Sequence, residues 1–206
     1  SSACGINCDG NLNITGGTFT MTSSGQAGKC ISVDGTAIFG NSTGGPNITA
    51  TTSGSAYGTS NGGGGFGGSS SSSNSSKAKA IKSEGALTIN DGVFTIKTST
   101  SEAEGIESKT SITINGGKVV ATTYDDAINS SGMITVNGGY VYAYASNNDA
   151  IDSNYGKSGA ITINGGVVIA HGTSSPEEGL DADSPSYLTI KGGTVFTSGG
   201  NQGGSG

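Results

Sequence analysis

Most of the acidic side chains in this sequence recur at matched positions around a repeated aliphatic residue. Glu102, Glu104 and Glu107 surround Ile106, and Asp125 and Asp126 precede Ile128. Asp149 and Asp152 flank Ile151, while Glu177, Glu178, Asp181 and Asp183 surround Leu180. Two positions before the aliphatic anchor the series reads Glu104, Asp126, Asp149, Glu178; one position after, it reads Glu107, Asn129, Asp152, Asp181. If the repeats stack, like charges fall beside one another and repel. A cost repeated over four units points to a compensating cation. Oxygen-only donor sets without histidine or cysteine suit Ca²⁺, which accepts six to eight oxygens in forgiving geometry. The first expected site combines Asp125 or Asp126 with Asn129, Asp149 and Asp152. The second combines Asp149 or Asp152 with Glu178 and Asp181. No EF-hand or nonapeptide calcium motif is present, and a solvated acidic corner is the competing reading.

A second kind of chemistry lies on a different strand of each repeat. Between inward Val and Ala positions, one outward series reads Thr95, Val120, Tyr142, Ile169, Phe196, with Tyr140, Val167, Tyr144 and His171 beside it. Exposed apolar and aromatic stripes mark contact surfaces. Tyrosine and phenylalanine rings stack on the apolar faces of sugars, and tyrosine adds a hydroxyl. Tyr140, Tyr142, Tyr144 and Phe196 are therefore the expected ligand-binding residues. Self-association through this face, giving a homodimer, is the alternative. His171 reads as a surface residue.

The elements that must position these groups are written as repeats. The anchors Ile6, Ile31, Ile81, Ile106, Ile128, Ile151 and Leu180 are spaced by 25, 50, 25, 22, 23 and 29 residues. After each anchor comes an alternating triplet such as Ile112-Thr113-Ile114 or Ile161-Thr162-Ile163. An Asn-Gly-Gly turn follows, as in 115–117, 137–139 and 164–166. A second alternation such as Val141-x-Ala143 closes the unit. Strict period two means strand. Three short strands per unit, separated by glycine turns, predict an all-β parallel β-helix of about seven coils with almost no helix. The asparagines Asn90, Asn115, Asn137 and Asn164 form a predicted ladder of side-chain amides. The threonines Thr88, Thr113, Thr135, Thr162 and Thr189 form an outward column. Cross-strand pairing of β-branched residues explains that column better than ice binding does.

The doubled spacing between Ile31 and Ile81 holds a Gly/Ser-rich excess at about 53–77, read as a loop insertion; about 199–206 reads as a flexible tail. The chain of 206 residues suits a single domain across 1–206. Glycine is abundant, at 39 residues, and only 32% of residues are hydrophobic, yet the apolar residues recur in register, so a thin continuous core is possible. Residues 1–100 hold four acids and five lysines; residues 101–206 hold eleven acids and four lysines, and there is no arginine. Nucleic acid is thereby excluded as a partner, because little is available to neutralise phosphates. No apolar run of about 18 residues is present, so no transmembrane segment is expected. The start at Ser1 carries no secretory leader, and an exported protein is expected to have lost one. Cys8 falls in an inward column of small residues, and Cys4 and Cys30 lie beside stacked anchors, placed to pair in an exported protein.

The strings Glu104-Gly-Ile-Glu-Ser-Lys109, Asp125-Asp-Ala-Ile-Asn-Ser130 and Asn148-Asp-Ala-Ile-Asp152, followed by Ile-Thr-Ile-Asn-Gly-Gly or a variant, resemble the bacterial carbohydrate-binding β-helix proteins. That family includes adhesin-type proteins of gut Bacteroides and a clostridial cellulose- and acidic-sugar-binding protein. The resemblance is strongest from Ala78 to Gly200. It implies a right-handed, pectate-lyase-like β-helix with calcium, binding plant-type or acidic polysaccharide outside the bacterial cell or on its surface, without established lyase activity. Polysaccharide lyase or hydrolase activity is the alternative. Lyases pair Ca²⁺ with a strong base, usually arginine; here only Lys109, Lys118 or Lys157 is available. Asp125-Asp126 echoes the paired aspartates of polygalacturonases, but the acids recur in every coil rather than at one special place. No catalytic residue is expected. A surface scaffold binding a protein partner is the third reading.

Overall fold

The computed structural model describes residues 4–58, 76–173 and 177–199. The Gly/Ser-rich runs Gly62–Gly65 and Ser69–Ser73, and the tail beyond Gly199, lie outside the described residues.

Alternation in the sequence becomes three parallel sheets of seven strands, each coil contributing one strand to each sheet in a right-handed parallel β-helix. The first sheet runs Cys4–Cys8, Lys29–Val33, Lys79–Ser83, Glu104–Ser108, Ile128–Ser130, Ile151–Ser153, Leu180–Asp181. The second runs Leu12–Ile14, Ala37–Phe39, Leu87–Ile89, Ile112–Ile114, Ile134–Val136, Ile161–Ile163, Leu188–Ile190. The third runs Thr18–Ser23, Asn47–Thr52, Val93–Thr98, Lys118–Thr123, Tyr140–Ala145, Val167–His171, Thr194–Ser198. One turn of 3₁₀ helix, Pro185–Tyr187, is the only helical element among the described residues.

Register places every anchor over the next: Ile81 pairs Ile106, Ile106 pairs Ile128, Ile128 pairs Ile151, and Ile151 pairs Leu180. The second sheet adds Leu87, Ile112, Ile134 and Ile161, and the third adds Phe94, Val119, Val141 and Val168. All of these are buried. The core is thin but continuous, and Phe39 meets Phe94 edge to face at 5.5 Å within it. Inward serines close the core at one corner. Ser83, Ser108 and Ser153 donate to the carbonyls of Gly35, Gly85 and Gly132 at 2.8–2.9 Å.

The turn before the third sheet sets the register. Asn115 Nδ2 donates to Asn90 Oδ1 at 2.8 Å, Asn137 to Asn115 at 2.7 Å, and Asn164 to Asn137 at 2.7 Å. The second glycine of each Asn-Gly-Gly turn is left-handed, with φ +78° at Gly117, +83° at Gly139 and +85° at Gly166. Its carbonyl accepts from the next coil, as where Tyr140 N donates to Gly117 O at 2.9 Å. A Cβ on Gly139 would sit 2.6 Å from that same oxygen.

The insertion leaves and rejoins the helix through an antiparallel bridge between Tyr57 and Ser76. The pairing of Cys4 with Cys30 that the sequence left open does not occur, and the cysteines are free. Cys4 stands in register with Lys29, one position off, while Cys30 turns inward and donates to Thr51 O at 3.3 Å. Cys8 aligns with Val33 and Ser83 as expected.

Gly139→Ala combines an unfavourable φ with a backbone clash. It should destabilise the protein by roughly 1–3 kcal/mol, read as a lower urea midpoint. An unchanged midpoint would show that the turns tolerate a wider coil spacing.

Candidate functional site

Two outward faces carry the chemistry, and they are built differently. On the first sheet, the strand register aligns Lys79 with Glu104, and Lys82, Glu107, Asn129, Asp152 and Asp181 in one column. These charges are not laid out in water. Lys79, Glu104, Glu107, Asp125, Asp126 and Asp149 are all buried.

The lysine contributed by the third coil was not anticipated, and it answers part of the repulsion. Lys79 Nζ lies 2.7 Å from Glu104 and 3.1 Å from Glu107. Lys109 also donates to Glu107. Burial pushes the Glu107 carboxyl up, but Lys79 and Lys109 outweigh it and hold it below the ordinary value. Glu104 stays above the ordinary value, because burial and the neighbouring Glu107 exceed what Lys79 supplies. Removing one partner of such a buried cluster costs about 3–5 kcal/mol, since a charge is left uncompensated.

Beyond coil four no lysine occupies these columns, and amides take over. Asn129 Nδ2 donates to Asp126 Oδ2 at 2.6 Å and reaches Asp152 Oδ2 at 3.2 Å. Asn154 also donates to Asp152, at 2.6 Å. Asp125 turns away from its neighbour, accepting from Asn148 at 2.7 Å and facing Lys77 at 3.6 Å. Asp149 accepts the Glu178 backbone amide, and Asp181 accepts the Asp183 amide at 2.8 Å. Of the first expected set, Asp126, Asn129 and Asp152 are therefore joined directly, whereas Asp125 and Asp149 have other partners. Of the second set, Glu178 reaches Asp149 through its backbone only.

One oxygen is left over. Asp126 is 4% exposed, and its Oδ1 has no hydrogen-bond partner among the described residues. Burial raises the Asp126 carboxyl to about 8, with Asp152 and Asp125 adding to the shift. Burial raises Asp149 and Asp152 to about 7 each, with Asp181 contributing to both. Among the described residues no three acidic, histidine or cysteine side chains converge on a common metal-binding point. As the side chains stand, an amide nitrogen bridges Asp126 and Asp152.

The second face is the outward side of the third sheet. Its middle column runs Thr20, Thr49, Thr95, Val120, Tyr142, Ile169, Phe196. Tyr140 lies beside it over the Lys118 ammonium, 5.8 Å from ring centroid to Nζ. Tyr144 and His171 stack at 5.2 Å with 14° between their planes. Phe196 is 63% exposed. Tyr140, Tyr142, Tyr144 and Phe196 thus share one surface, extended by His171. His171 Nδ1 is paired with Ser198 Oγ.

The parallel β-helix thus carries an aromatic outward face on its third sheet and a separate, largely buried acid network on its first. A family model described as carbohydrate-binding domain-containing protein matches residues 5–150, and the chain belongs to that family. Neither the curated proteins nor the solved structures yield a significant match. No helix among the described residues is long and apolar enough to cross a membrane.

Raised carboxyl values have a definite consequence for stability. Asp126, Asp149 and Asp152 hold protons more tightly folded than unfolded. Their contribution is full below the ordinary carboxylate range and is lost as pH rises through about 7 to 8. With divalent cations chelated, the melting midpoint should fall by several degrees between about pH 5 and about pH 8, roughly 2–4 °C per kcal/mol for a chain of this size. A midpoint that rises over that window would contradict the assigned network.

Proposed function

We propose that this domain is a non-catalytic module, secreted or displayed on the cell surface, that binds plant-type or acidic polysaccharide on the outward face of the third sheet and carries structural calcium on the first. The observation that carries the reading is the cluster of Tyr140, Tyr142, Tyr144, His171 and Phe196 on one rigid face, in a chain whose family binds carbohydrate. Rings held by a sheet lose little freedom on binding, which favours stacking on sugar faces. Lys97 and Lys118, on adjacent strands of the same face, favour a chain bearing carboxylates. A polysaccharide of this kind lies outside the cell, and so must the module that binds it.

Calcium is supported by the donor chemistry. Asp126 Oδ1 is buried without a partner, Asp152 stands within reach of the same amide, and turning the Asn129 amide by half a turn would present its oxygen. All three are hard oxygen donors of the kind calcium selects. Asp149 and Asp181 crowd Asp152 with further negative charge.

Tyr142→Ala and Phe196→Ala should each weaken polysaccharide binding by ~1–2 kcal/mol, roughly five- to thirtyfold, with the protein's mass in solution unchanged. Full binding with altered mass would instead make this face a subunit interface. Calcium at about 100 times its dissociation constant should stabilise the fold by ~2.7 kcal/mol over the chelated form, and Asp126→Asn should remove most of that gain. An unchanged melting midpoint with calcium would remove the metal from the account.

A further inference from the structure

The outward columns of the third sheet continue beyond the aromatic residues toward the start of the chain. There they read Thr18 and Asn47, then Thr20, Thr49 and Thr95, then Thr22 and Thr51. The repeat of the third strand is clearest from coil three onward, where Thr95 begins the outward series, so the threonines of the first two coils were hidden from sequence inspection. None of the hydroxyls of Thr20, Thr22, Thr49, Thr51 and Thr95 is hydrogen-bonded within the described chain. Across all seven strands the face holds Lys97 and Lys118 near its middle and no carboxylate, although the chain as a whole is acidic.

We infer that this whole face, and not its aromatic half alone, is one lengthwise track for a single unbranched polysaccharide chain, with Thr20, Thr22, Thr49, Thr51 and Thr95 binding sugar hydroxyls. The inference rests on the reading of the aromatic half as the carbohydrate site.

Dimensions select the direction. Across a strand the three outward residues span about 13 Å, whereas along the axis seven strands span about 29 Å. Only the axial direction gives an extended chain the aromatic residues, the lysines and the threonines in succession. The coil spacing of about 4.8 Å is close to the length of one pyranose unit, so successive sugars meet equivalent positions on successive coils. The chemistry divides in the same way. Rings take the apolar face of a sugar, while threonine hydroxyls donate to or accept from its hydroxyl edges. Threonine in a strand has a restricted χ1, so these hydroxyls are held in place before binding and lose little freedom in it. Lys97 and Lys118 sit where the halves meet, and a uronate carboxylate arriving there has no protein acid on this face to repel it. The competing explanation is that threonine stands in these strands for its β-propensity alone. In that case valine would serve equally well.

The test is a length series of oligogalacturonides, dimer to octamer, titrated into the unmodified protein, into Thr20→Val/Thr49→Val and into Tyr142→Ala. Affinity should climb with each added unit to about the heptamer. The double threonine variant should bind the trimer as the unmodified protein does, and the heptamer on the order of tenfold more weakly. Valine preserves strand preference, and the length series on the unmodified protein does not depend on any variant folding. A plateau at the trimer, or a threonine variant indistinguishable at every length, overturns the track while leaving the aromatic site in place, provided Tyr142→Ala still loses binding. If Tyr142→Ala binds every length normally, the aromatic site and the track fall together.

Discussion

Every feature of this protein depends on one backbone contact repeated from coil to coil. The carbonyl of a left-handed turn glycine accepts the amide that opens the next third-sheet strand, as from Val167 to Gly139 at 2.9 Å. Coil spacing is then fixed near 4.8 Å, and no side chain fits between the turns. The asparagine ladder beside it adds one amide bond per coil in the same direction. With spacing and register fixed, each repeat position becomes a column, and whatever a column contains is brought to close range in every coil.

That constraint acts in opposite ways on the two outward faces. On the first sheet it forces carboxylates together in a buried setting, where an uncompensated charge is costly. The chain meets the cost by different means along its length. Lys79 and Lys109 neutralise coil four, Asn129 and Asn154 tie coils five and six, and the raised carboxyls of Asp126, Asp149 and Asp152 mark where compensation by protein groups runs out. On the third sheet the same register spreads aromatic and hydroxyl side chains, with Lys97 and Lys118 and no carboxylate, into a regular outward surface on which Tyr144 and His171 are already stacked. A rigid array of this type suits a polymeric ligand, because equivalent contacts repeat without further ordering of the protein.

The solenoid was legible in the sequence because its signal is repeated. The anchors from Ile6 to Leu180, the Ile-Thr-Ile triplets and the Asn-Gly-Gly turns each recur several times, and strand register follows from their alignment. The aromatic face was legible for the same reason. Partnerships within the acid columns were not. Lys79 occupies the column of Glu104 one coil upstream, so extending that column by one unit would have found it. That Asp125 would turn to Lys77 and Asn148 depends on side-chain direction outside the strands, where no periodicity applies. The positions of Cys4 and Cys30 show the same limit. Both flank an anchor, but a one-residue offset puts one sulfur in the core and the other in register with a lysine.

Two faces compete for the sugar: the outward face of the third sheet and the acid-lined first sheet. Amide hydrogen exchange of the unmodified protein with and without polygalacturonate separates them, because protection can be read strand by strand. Binding on the third sheet should add protection across Tyr140–Ala145, Val167–His171 and Thr194–Ser198, spreading toward Asn47–Thr52, with the first and second sheets unchanged. Protection concentrated on Glu104–Ser108, Ile128–Ser130 and Ile151–Ser153 would contradict it and would make the acid columns the binding site.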